Sequence, residues 1–319
     1  MYYLGIDLGG TNIATAVVNE EYKIIGEGKV KTRAPRPADE IADDMVKAAM
    51  MAVENAGLTL DDIAEIGVGT PGSVNPYTGV IGMAKNLEFY HVPLKAMLEE
   101  RFKKSVFLEN DANAAAFGEQ LAGAGKGAEQ FVAITLGTGV GGGVIINNHI
   151  LSGFNSAGGE LGHMVIVKDG EPCTCGRLGC WEAYASATAL VRITKKAMNE
   201  NKNSKMWETV KDGDIENVNG RTAFDAMRLG DEAAKAVIKE YCDNVACGLT
   251  NIINIFQPDI ICIGGGVSKE GEVLVAPIRE YVEREQFSRN LDKKTVIKAA
   301  ELGNDAGIIG AAFLGNIYR

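Results

Sequence analysis

The sequence lacks several features that mark particular classes of protein. No run of eighteen apolar residues occurs, which excludes an ordinary membrane-spanning helix. Positive charge is in the minority, with 32 Lys and Arg against 42 Asp and Glu, and the net charge of −10 argues against a nucleic-acid-binding surface. The pattern G-x-x-x-x-G-K-[ST] is missing, so the chain has no P-loop. The first seven residues show no basic segment before an apolar stretch, so we expect no signal peptide and a cytoplasmic location.

The chain has six cysteines, and three of them follow one histidine closely. His163 precedes Cys173, Cys175 and Cys180, with glycines where the chain must fold back. Thiolate sulfur and neutral imidazole suit Zn²⁺, and four protein ligands would close its tetrahedral shell. The sequence therefore predicts a structural zinc site. Two alternatives are weaker. Ordinary buried cysteines are disfavoured because the neighbouring residues are polar and do not form an apolar core. A disulfide is disfavoured because it would leave one of the three thiols unpaired.

Three short apolar runs lead into glycine-rich turns, at residues 4–12, 131–143 and 260–268. The first two align at an offset of 128 residues, with the glycine turn in the same place in each. In both, apolar residues resume after the glycines, which predicts a hairpin of two strands. A hairpin repeated about half a chain apart indicates two related halves.

Helical periodicity fills the stretches between these runs, and the alternation of strands and helices predicts an α/β architecture. At 319 residues the chain is long enough for two domains. We place a small N-terminal α/β domain at residues 1–111, with the C-terminal segment 305–319 packing back on it, and a large α/β domain carrying the zinc motif at 112–304. The predicted helices cover about residues 41–52, 182–198, 232–255 and 306–314, and the polar segment 199–219 is expected at the surface.

Glycine turns after strands can bring backbone N–H groups close to phosphate, because glycine has no Cβ. Any single glycine turn could equally well bind no ligand. The presence of three such turns, with an acidic residue beside the first, favours a nucleotide-binding protein. Asp7 ends the first strand as a lone acid in an apolar run, and burying it without a partner is unfavourable. We expect Asp7 to hold Mg²⁺ through water. The alternative is an Asp7 that hydrogen-bonds the turn at Gly9 and Gly10.

Asp111 lies where an apolar strand at 106–108 gives way to a helix rich in alanine. One helix cap needs a single polar side chain, whereas this junction offers three, from Asn110, Asp111 and Asn113. We expect one of them to cap the helix. The positive end of the helix dipole favours the ionised form of Asp111. Such a carboxylate can take the proton of a hydroxyl that attacks phosphorus, so Asp111 is the candidate general base.

A further group of side chains suits a ligand with several hydroxyls. Gly72 and Asn86 add small and amide groups in the first half of the chain, and Glu160 and Glu182 closely flank the zinc motif. With His163 they offer hydrogen-bond donors and acceptors that can recognise the hydroxyls of a sugar. His163 can serve twice, with one ring nitrogen on zinc and the other side of the ring towards the ligand.

These motifs resemble those of the ROK family, which holds bacterial sugar kinases and sugar-responsive repressors. The resemblance runs over essentially the whole chain and is most specific in the block 160–182. It implies an actin-like ATPase fold, with two ribonuclease-H-like α/β domains and a cleft between them, assembled as a homodimer or homotetramer. Within the family the chain is most similar to the glucose-phosphorylating kinases of Gram-positive bacteria, so we expect transfer of phosphate from ATP to D-glucose.

The resemblance also implies roles for individual residues. Asp111 would be the base on the sugar 6-hydroxyl. The implied sugar contacts are Gly72, Asn86, Asn110, Asp111, Glu160, His163 and Glu182. The implied nucleotide contacts are Asp7, Gly9, Gly10, Thr11, Asn12, Gly137, Thr138, Gly139, Gly265 and Gly266. The implied zinc ligands are His163, Cys173, Cys175 and Cys180.

Other functions stay open at this point. The same mechanism could serve fructose, N-acetylglucosamine, N-acetylmannosamine or allose, and polyphosphate could replace ATP. A non-enzymatic sugar sensor is a further alternative, against which the intact Asp7 and Asp111 speak. Repressors of the family carry a DNA-binding domain before the first strand, and here Tyr2 already belongs to that strand, so we expect no nucleic-acid partner. The lack of a long apolar run predicts no membrane partner.

Overall fold

The computed structural model describes all residues from Met1 to Arg319 as a mixed α/β protein. The strands are β1 (Tyr2–Leu8), β2 (Asn12–Asn19), β3 (Ile24–Lys31), β4 (Ile63–Thr70), β5 (Ser73–Asn75), β6 (Val80–Ala84), β7 (Phe89–Val92), β8 (Val106–Asn110), β9 (Phe131–Leu136), β10 (Val140–Ile146), β11 (His149–Ile150), β12 (Ile260–Gly264) and β13 (Val296–Ala299). The helices are α1 (Ala38–Asn55), α2 (Leu94–Phe102), α3 (Asp111–Ala122), α4 (Glu182–Ala185), α5 (Ala187–Glu200), α6 (Met206–Thr209), α7 (Thr222–Arg228), α8 (Glu232–Phe256), α9 (Glu272–Glu285), α10 (Ala306–Ala312) and α11 (Gly315–Tyr318). None of the helices combines the length and apolarity that a membrane crossing requires.

The first sheet has the strand order β3-β2-β1-β4-β8 and confirms the predicted N-terminal hairpin. β1 and β2 are antiparallel, and the Gly9 N–H closes their turn by donating to the Asn12 carbonyl at 3.0 Å. β4 and β8 run parallel to β1, with Asp7 opposite Gly69 and Gly69 opposite Glu109. This register brings the carboxyl ends of β1, β4 and β8 to one edge of the sheet, where ligands of parallel sheets commonly bind.

Both faces of this sheet are covered. α1 packs against β2 and β3, and its apolar face includes Ile41 and Met45, which are fully buried. α10 packs against β1, β4 and α3. The α3–α10 contact is a close backbone approach, because a Cβ at Gly310 would overlap the Ala114 carbonyl oxygen. Only glycine permits this separation of the two helices.

A second sheet has the order β11-β10-β9-β12-β13, and a third, smaller sheet has the order β5-β6-β7. β9 and β10 are neighbours joined by the turn Gly137–Gly139, in which the Gly137 N–H donates to the Gly139 carbonyl at 3.0 Å. α8 has nearly the predicted bounds, and Asp231 caps it by accepting a hydrogen bond from the Ala234 N–H at 2.7 Å.

Two local predictions are wrong. The helix expected over 182–198 is two helices, because Ser186 is extended and caps α5 with its side chain. The last helix ends at Ala312 rather than at residue 314, and α11 follows. The segment 199–219 is mostly exposed, as expected, although Met206 is fully buried in it and α6 forms there.

The chain divides into two compact units. The first contains Met1–Ala133, Gly143–Gly159 and Glu301–Arg319, and the second contains Ile134–Gly142 and Glu160–Ala300. This grouping keeps all of α3 with the N-terminal strands, whereas the predicted boundary lies at residue 111. The division of the chain into domains at that residue stays a prediction.

Candidate functional site

The junction of β8 and α3 in the first unit confirms the expected helix cap. Asn110 is the cap, and its Oδ1 accepts hydrogen bonds from the N–H groups of Ala112 at 2.9 Å and Asn113 at 3.2 Å. Its Nδ2 donates to the Gly72 carbonyl at 3.1 Å. Gly72 has φ +97°, and a Cβ there would overlap the Met83 carbonyl oxygen, so the position requires glycine. Two predicted sugar contacts, Gly72 and Asn110, therefore touch each other.

Asp111 begins α3, and its Oδ1 accepts a hydrogen bond from the Ala112 N–H at 2.8 Å. The residue is exposed, yet the surrounding protein displaces enough water to raise the pKa of Asp111 above its usual range. The hydrogen bonds from Ala112 and Asn110 oppose this change and do not overcome it. The expectation that Asp111 is ionised stays a prediction, and the raised pKa means that burial outweighs the hydrogen bonds at the start of the helix. A raised pKa makes the ionised carboxylate a stronger base.

Asp7 lies near the carboxyl end of β1 and is half-buried. Loss of water raises the pKa of Asp7 to about 6, and the negative charge of Asp111 adds to the effect. The alternative in which Asp7 hydrogen-bonds the glycine turn is not realised. The turn is closed by its own backbone, and the Gly9 carbonyl accepts a hydrogen bond from Thr32 Oγ1 at 2.6 Å. Asp7 and Asp111 thus form a pair of carboxylates at one sheet edge.

The first glycine turn lies beside another predicted sugar contact. Asn86 belongs to the 3-10 helix Lys85–Leu87, and a Cβ at Gly10 would lie 3.5 Å from the Asn86 Cβ. Thr11 and Asn12 continue the turn into β2, where the Thr11 carbonyl accepts from the Thr32 N–H at 3.0 Å. The first unit therefore gathers the predicted residues of its own half of the chain around the ends of β1, β4 and β8.

The second unit brings the predicted zinc ligands together. One ligand atom from each of His163, Cys173, Cys175 and Cys180 can be chosen so that all four lie within 4.8 Å of one another. His163 Nδ1 is 3.6 Å from Cys173 Sγ, and the sulfurs of Cys175 and Cys180 are 3.7 Å apart. Four ligands at ordinary Zn²⁺ bond lengths lie about 3.5 to 3.8 Å apart. These residues can therefore hold a metal ion.

Glu182 has structural partners for both of its oxygens. Oε1 accepts a hydrogen bond from Thr174 Oγ1 at 3.1 Å and lies 3.6 Å from Cys173 Sγ. Oε2 accepts from the Val140 N–H at 3.0 Å, and a Cβ at Gly139 would overlap it. The carboxylate thus joins the cysteine loop to the second glycine turn. Motif spacing did not reveal this connection.

The second and third glycine turns lie against each other within the second unit. Gly265 has φ +89°, and a Cβ there would overlap the Leu136 carbonyl oxygen at the end of β9. The second turn is also fixed from outside, because the Gly137 carbonyl accepts from the Ala187 N–H and the Thr138 carbonyl from Thr188 Oγ1, both at 2.8 Å. Gly139 and Gly266 complete these two turns.

The predicted sugar contacts divide between the units. Glu160, His163 and Glu182 belong to the second unit, and Gly72, Asn86, Asn110 and Asp111 belong to the first. Glu160 precedes the 3-10 helix Leu161–His163, and its carbonyl accepts from the His163 N–H at 3.1 Å.

Comparison with known proteins decides the family. A model described as ROK family matches residues 3–316. The chain belongs to the ROK family. A glucokinase of Halalkalibacterium halodurans is 37% identical over 315 residues, covering 98% of this chain and 94% of that protein. A glucokinase of Streptomyces coelicolor is 38% identical over 312 residues, with coverage of 98% and 96%.

This ROK protein also resembles solved structures of its family. One is a ROK glucokinase from Streptomyces griseus in complex with glucose and AMPPNP, with a TM-score of 0.81, 38% identity and coverage of 98% of this chain and 99% of that one. The agreement over nearly the whole of both chains confirms the expected actin-like α/β fold class and the similarity to glucose-phosphorylating members of the family.

Proposed function

We propose that this protein transfers the γ-phosphoryl group of ATP to the 6-hydroxyl of D-glucose and releases ADP and glucose 6-phosphate. The observation that carries the proposal is the placement of Asp111 at the capped start of α3, beside Asp7, in a chain whose full-length relatives are glucokinases. The binding of glucose and AMPPNP by the related Streptomyces griseus enzyme supports the same two ligands here.

Asp111 acts as the general base in this proposal. The sugar O6 attacks the γ-phosphorus, its proton passes to the Asp111 carboxylate, and the bond from the γ-phosphorus to the bridging oxygen of ADP breaks. The hydrogen bond from Ala112 holds Oδ1, so we assign the proton to Oδ2. The raised pKa of Asp111 supports this role, since it increases the affinity of the carboxylate for that proton.

The remaining predicted contacts fill the other roles. Gly72, Asn86, Asn110, Glu160, His163 and Glu182 would bind the sugar hydroxyls. The glycine turns at 9–12, 137–139 and 265–266 would lie along ATP, with their N–H groups towards phosphate. Glu182 keeps acceptor capacity for a hydroxyl, because a carboxylate has about four lone-pair sites and two of them receive hydrogen bonds from Thr174 and Val140.

Two metal ions belong to the proposal. Zn²⁺ fits the cluster of one imidazole and three thiols in chemistry and spacing, and four protein ligands leave it a structural role. His163 faces the cluster with Nδ1, which leaves Nε2 for a hydroxyl. Asp7 is the residue that would hold hydrated Mg²⁺, since it lacks a hydrogen-bond donor and shares its surroundings with Asp111. Mg²⁺ neutralises phosphate charge when bound.

We further propose a cytoplasmic homodimer or homotetramer without nucleic-acid or membrane partners. The acidic net charge of −10 supports the lack of a nucleic-acid partner. The cysteine ligands must stay reduced to bind a metal, which favours the cytoplasm. The assembly follows from the family resemblance alone.

A coupled assay of ADP release tests the function. We expect kcat/KM to be highest for glucose in a panel with mannose, fructose, allose and the N-acetylhexosamines, and higher with ATP than with polyphosphate. Asp111→Asn should lower kcat by roughly two to four decades while glucose binding stays measurable by calorimetry. Undiminished turnover in Asp111→Asn would refute the base assignment, and a different best sugar would refute glucose as the substrate.

A further inference from the structure

Glu109 is a buried carboxylate two residues before Asp111, and 1% of its surface is exposed. Its Oε1 accepts hydrogen bonds from the Asn110 N–H at 2.8 Å and from Asn113 Nδ2 at 3.0 Å. Its Oε2 accepts from Ser152 Oγ at 3.1 Å and from the Tyr318 hydroxyl. All four donors are neutral, so hydrogen bonds alone compensate for the burial of this charge.

The Oε1 contacts fix the first turn of α3 from both sides. One contact holds the backbone just before Asp111, and the other holds Asn113, which is 5% exposed and lies in the first turn of the helix. Asn110 adds its own cap to the same turn. The direction of the Asp111 side chain therefore depends on a turn that Glu109 clamps at two points.

The Oε2 contacts come from distant parts of the chain within the same unit. Ser152 is 43 residues away in sequence and Tyr318 is 209 residues away. Burial and the charge of Glu109 raise the pKa of Tyr318, so the phenol keeps its proton and donates it. The C-terminal helix α11 thereby fixes the orientation of the carboxylate that clamps α3.

We infer that Glu109 is a positioning residue for Asp111, and that Tyr318 and Ser152 hold Glu109 in place for this purpose. The inference rests on the proposed role of Asp111 as the base. Glu109 acts through the helix turn rather than through contact with sugar or nucleotide. Displacement of a reacting group by about 1 Å can lower a rate 100-fold, so a small rotation of the turn is enough to slow the reaction.

Glu109→Gln and Tyr318→Phe test the inference with matched controls. Glutamine keeps the shape of Glu109, and the two hydroxyls can reverse to accept from its amide, so the fold should survive. Asp44→Asn is the carboxylate control: Asp44 is partly buried on α1 and pairs with Arg36, and neither residue lies on α3 or α11. Tyr77→Phe is the hydroxyl control, since Tyr77 is exposed and only its ring meets Tyr318.

The readout is the separation of kcat from glucose affinity, measured well below the melting temperature of each variant. Glu109→Gln should lower kcat about 10-fold and Tyr318→Phe about 3-fold, with KM and the calorimetric Kd for glucose changed less than about 2-fold. The two control variants should keep wild-type kcat, even if Asp44→Asn melts at a lower temperature.

Several results would overturn the inference. A lower melting temperature with wild-type kcat in both Glu109→Gln and Tyr318→Phe would mean that the network is purely structural. A raised Kd for glucose with unchanged kcat would mean that Glu109 serves binding. If Glu109→Gln does not fold, Tyr318→Phe and Ser152→Ala decide the question by the same criteria. Asp111→Asn separates the two proposals: wild-type turnover there refutes the proposed base, whereas a large loss there with undiminished Glu109→Gln refutes only the positioning role.

Discussion

The Asp7 carboxylate should destabilise the ligand-free protein at neutral pH. It is half-buried, receives no hydrogen bond and faces the like charge of Asp111, which together raise the pKa of Asp7 from 3.8 to about 6. Asp7→Asn keeps the shape of the side chain and removes the charge. We therefore expect this variant to unfold at a higher denaturant concentration than the wild type while losing activity.

The magnitude follows from the pKa change. Below pH 3.8 the carboxyl is protonated in both the folded and the unfolded chain and has no effect on stability. As the pH rises from 3.8 to about 6 the unfolded chain ionises first, so stability falls. Above that range the full cost is about 3 kcal/mol, at roughly 1.4 kcal/mol per pKa unit, and at pH 4.5 it is about 1 kcal/mol. These values are upper limits, because an asparagine amide also loses hydration there.

Urea unfolding without Mg²⁺ or nucleotide, at pH 7.5 and pH 4.5, measures this difference. The gain in unfolding free energy from Asp7→Asn should be larger at pH 7.5 than at pH 4.5. Asp61→Asn is the matched control, since Asp61 is exposed and its replacement should have no effect at either pH. A gain that does not depend on pH, or a loss of stability at pH 7.5, would refute the reasoning.

Two further predictions concern packing and the metal site. Gly310→Ala should lower the unfolding free energy by about 1 to 3 kcal/mol, because its Cβ overlaps the Ala114 carbonyl. Gly307→Ala in the same helix meets open space and should raise the unfolding free energy by about 0.5 to 1 kcal/mol. Equal effects of the two variants in urea unfolding would contradict the close approach of α3 and α10. Cys175→Ser should lower both the melting temperature and the zinc content measured by elemental analysis, and Cys247→Ser should change neither. If removal of the metal from the wild-type protein leaves its melting temperature unchanged, a structural zinc is refuted.

Local patterns predicted much of this fold. The hairpin after Asp7 and the cap at the start of α3 follow from residues adjacent in sequence, because turns and caps are decided by their own few residues. The clustering of the zinc ligands follows from short spacing for the same reason. The break at Ser186 was missed, because the apolar periodicity continues across it while the side chain caps the next helix.

Long-range contacts are what the sequence could not predict. The upward change in the pKa of Asp111 depends on how much protein surrounds it, which no motif encodes. The hydrogen bond from Tyr318 to Glu109 joins residues 209 positions apart. The two-sided tether of Glu182 requires the cysteine loop and the β9–β10 turn to meet in space. Each of these results from packing between elements rather than from the properties of one element.

The carboxylates of the first unit show where the fold tolerates an unfavourable charge. Glu109 has four neutral donors, and Glu119, which is 3% exposed, accepts hydrogen bonds from the backbone N–H groups of Ala124, Glu301 and Leu302. Asp7 has no donor and faces a second acid. The same unit can evidently satisfy a buried carboxylate, so the cost at Asp7 is a local property of the site and not a general weakness of packing. A cation at that position would remove this cost, which couples occupancy of the site to the stability of the sheet edge that carries Asp111.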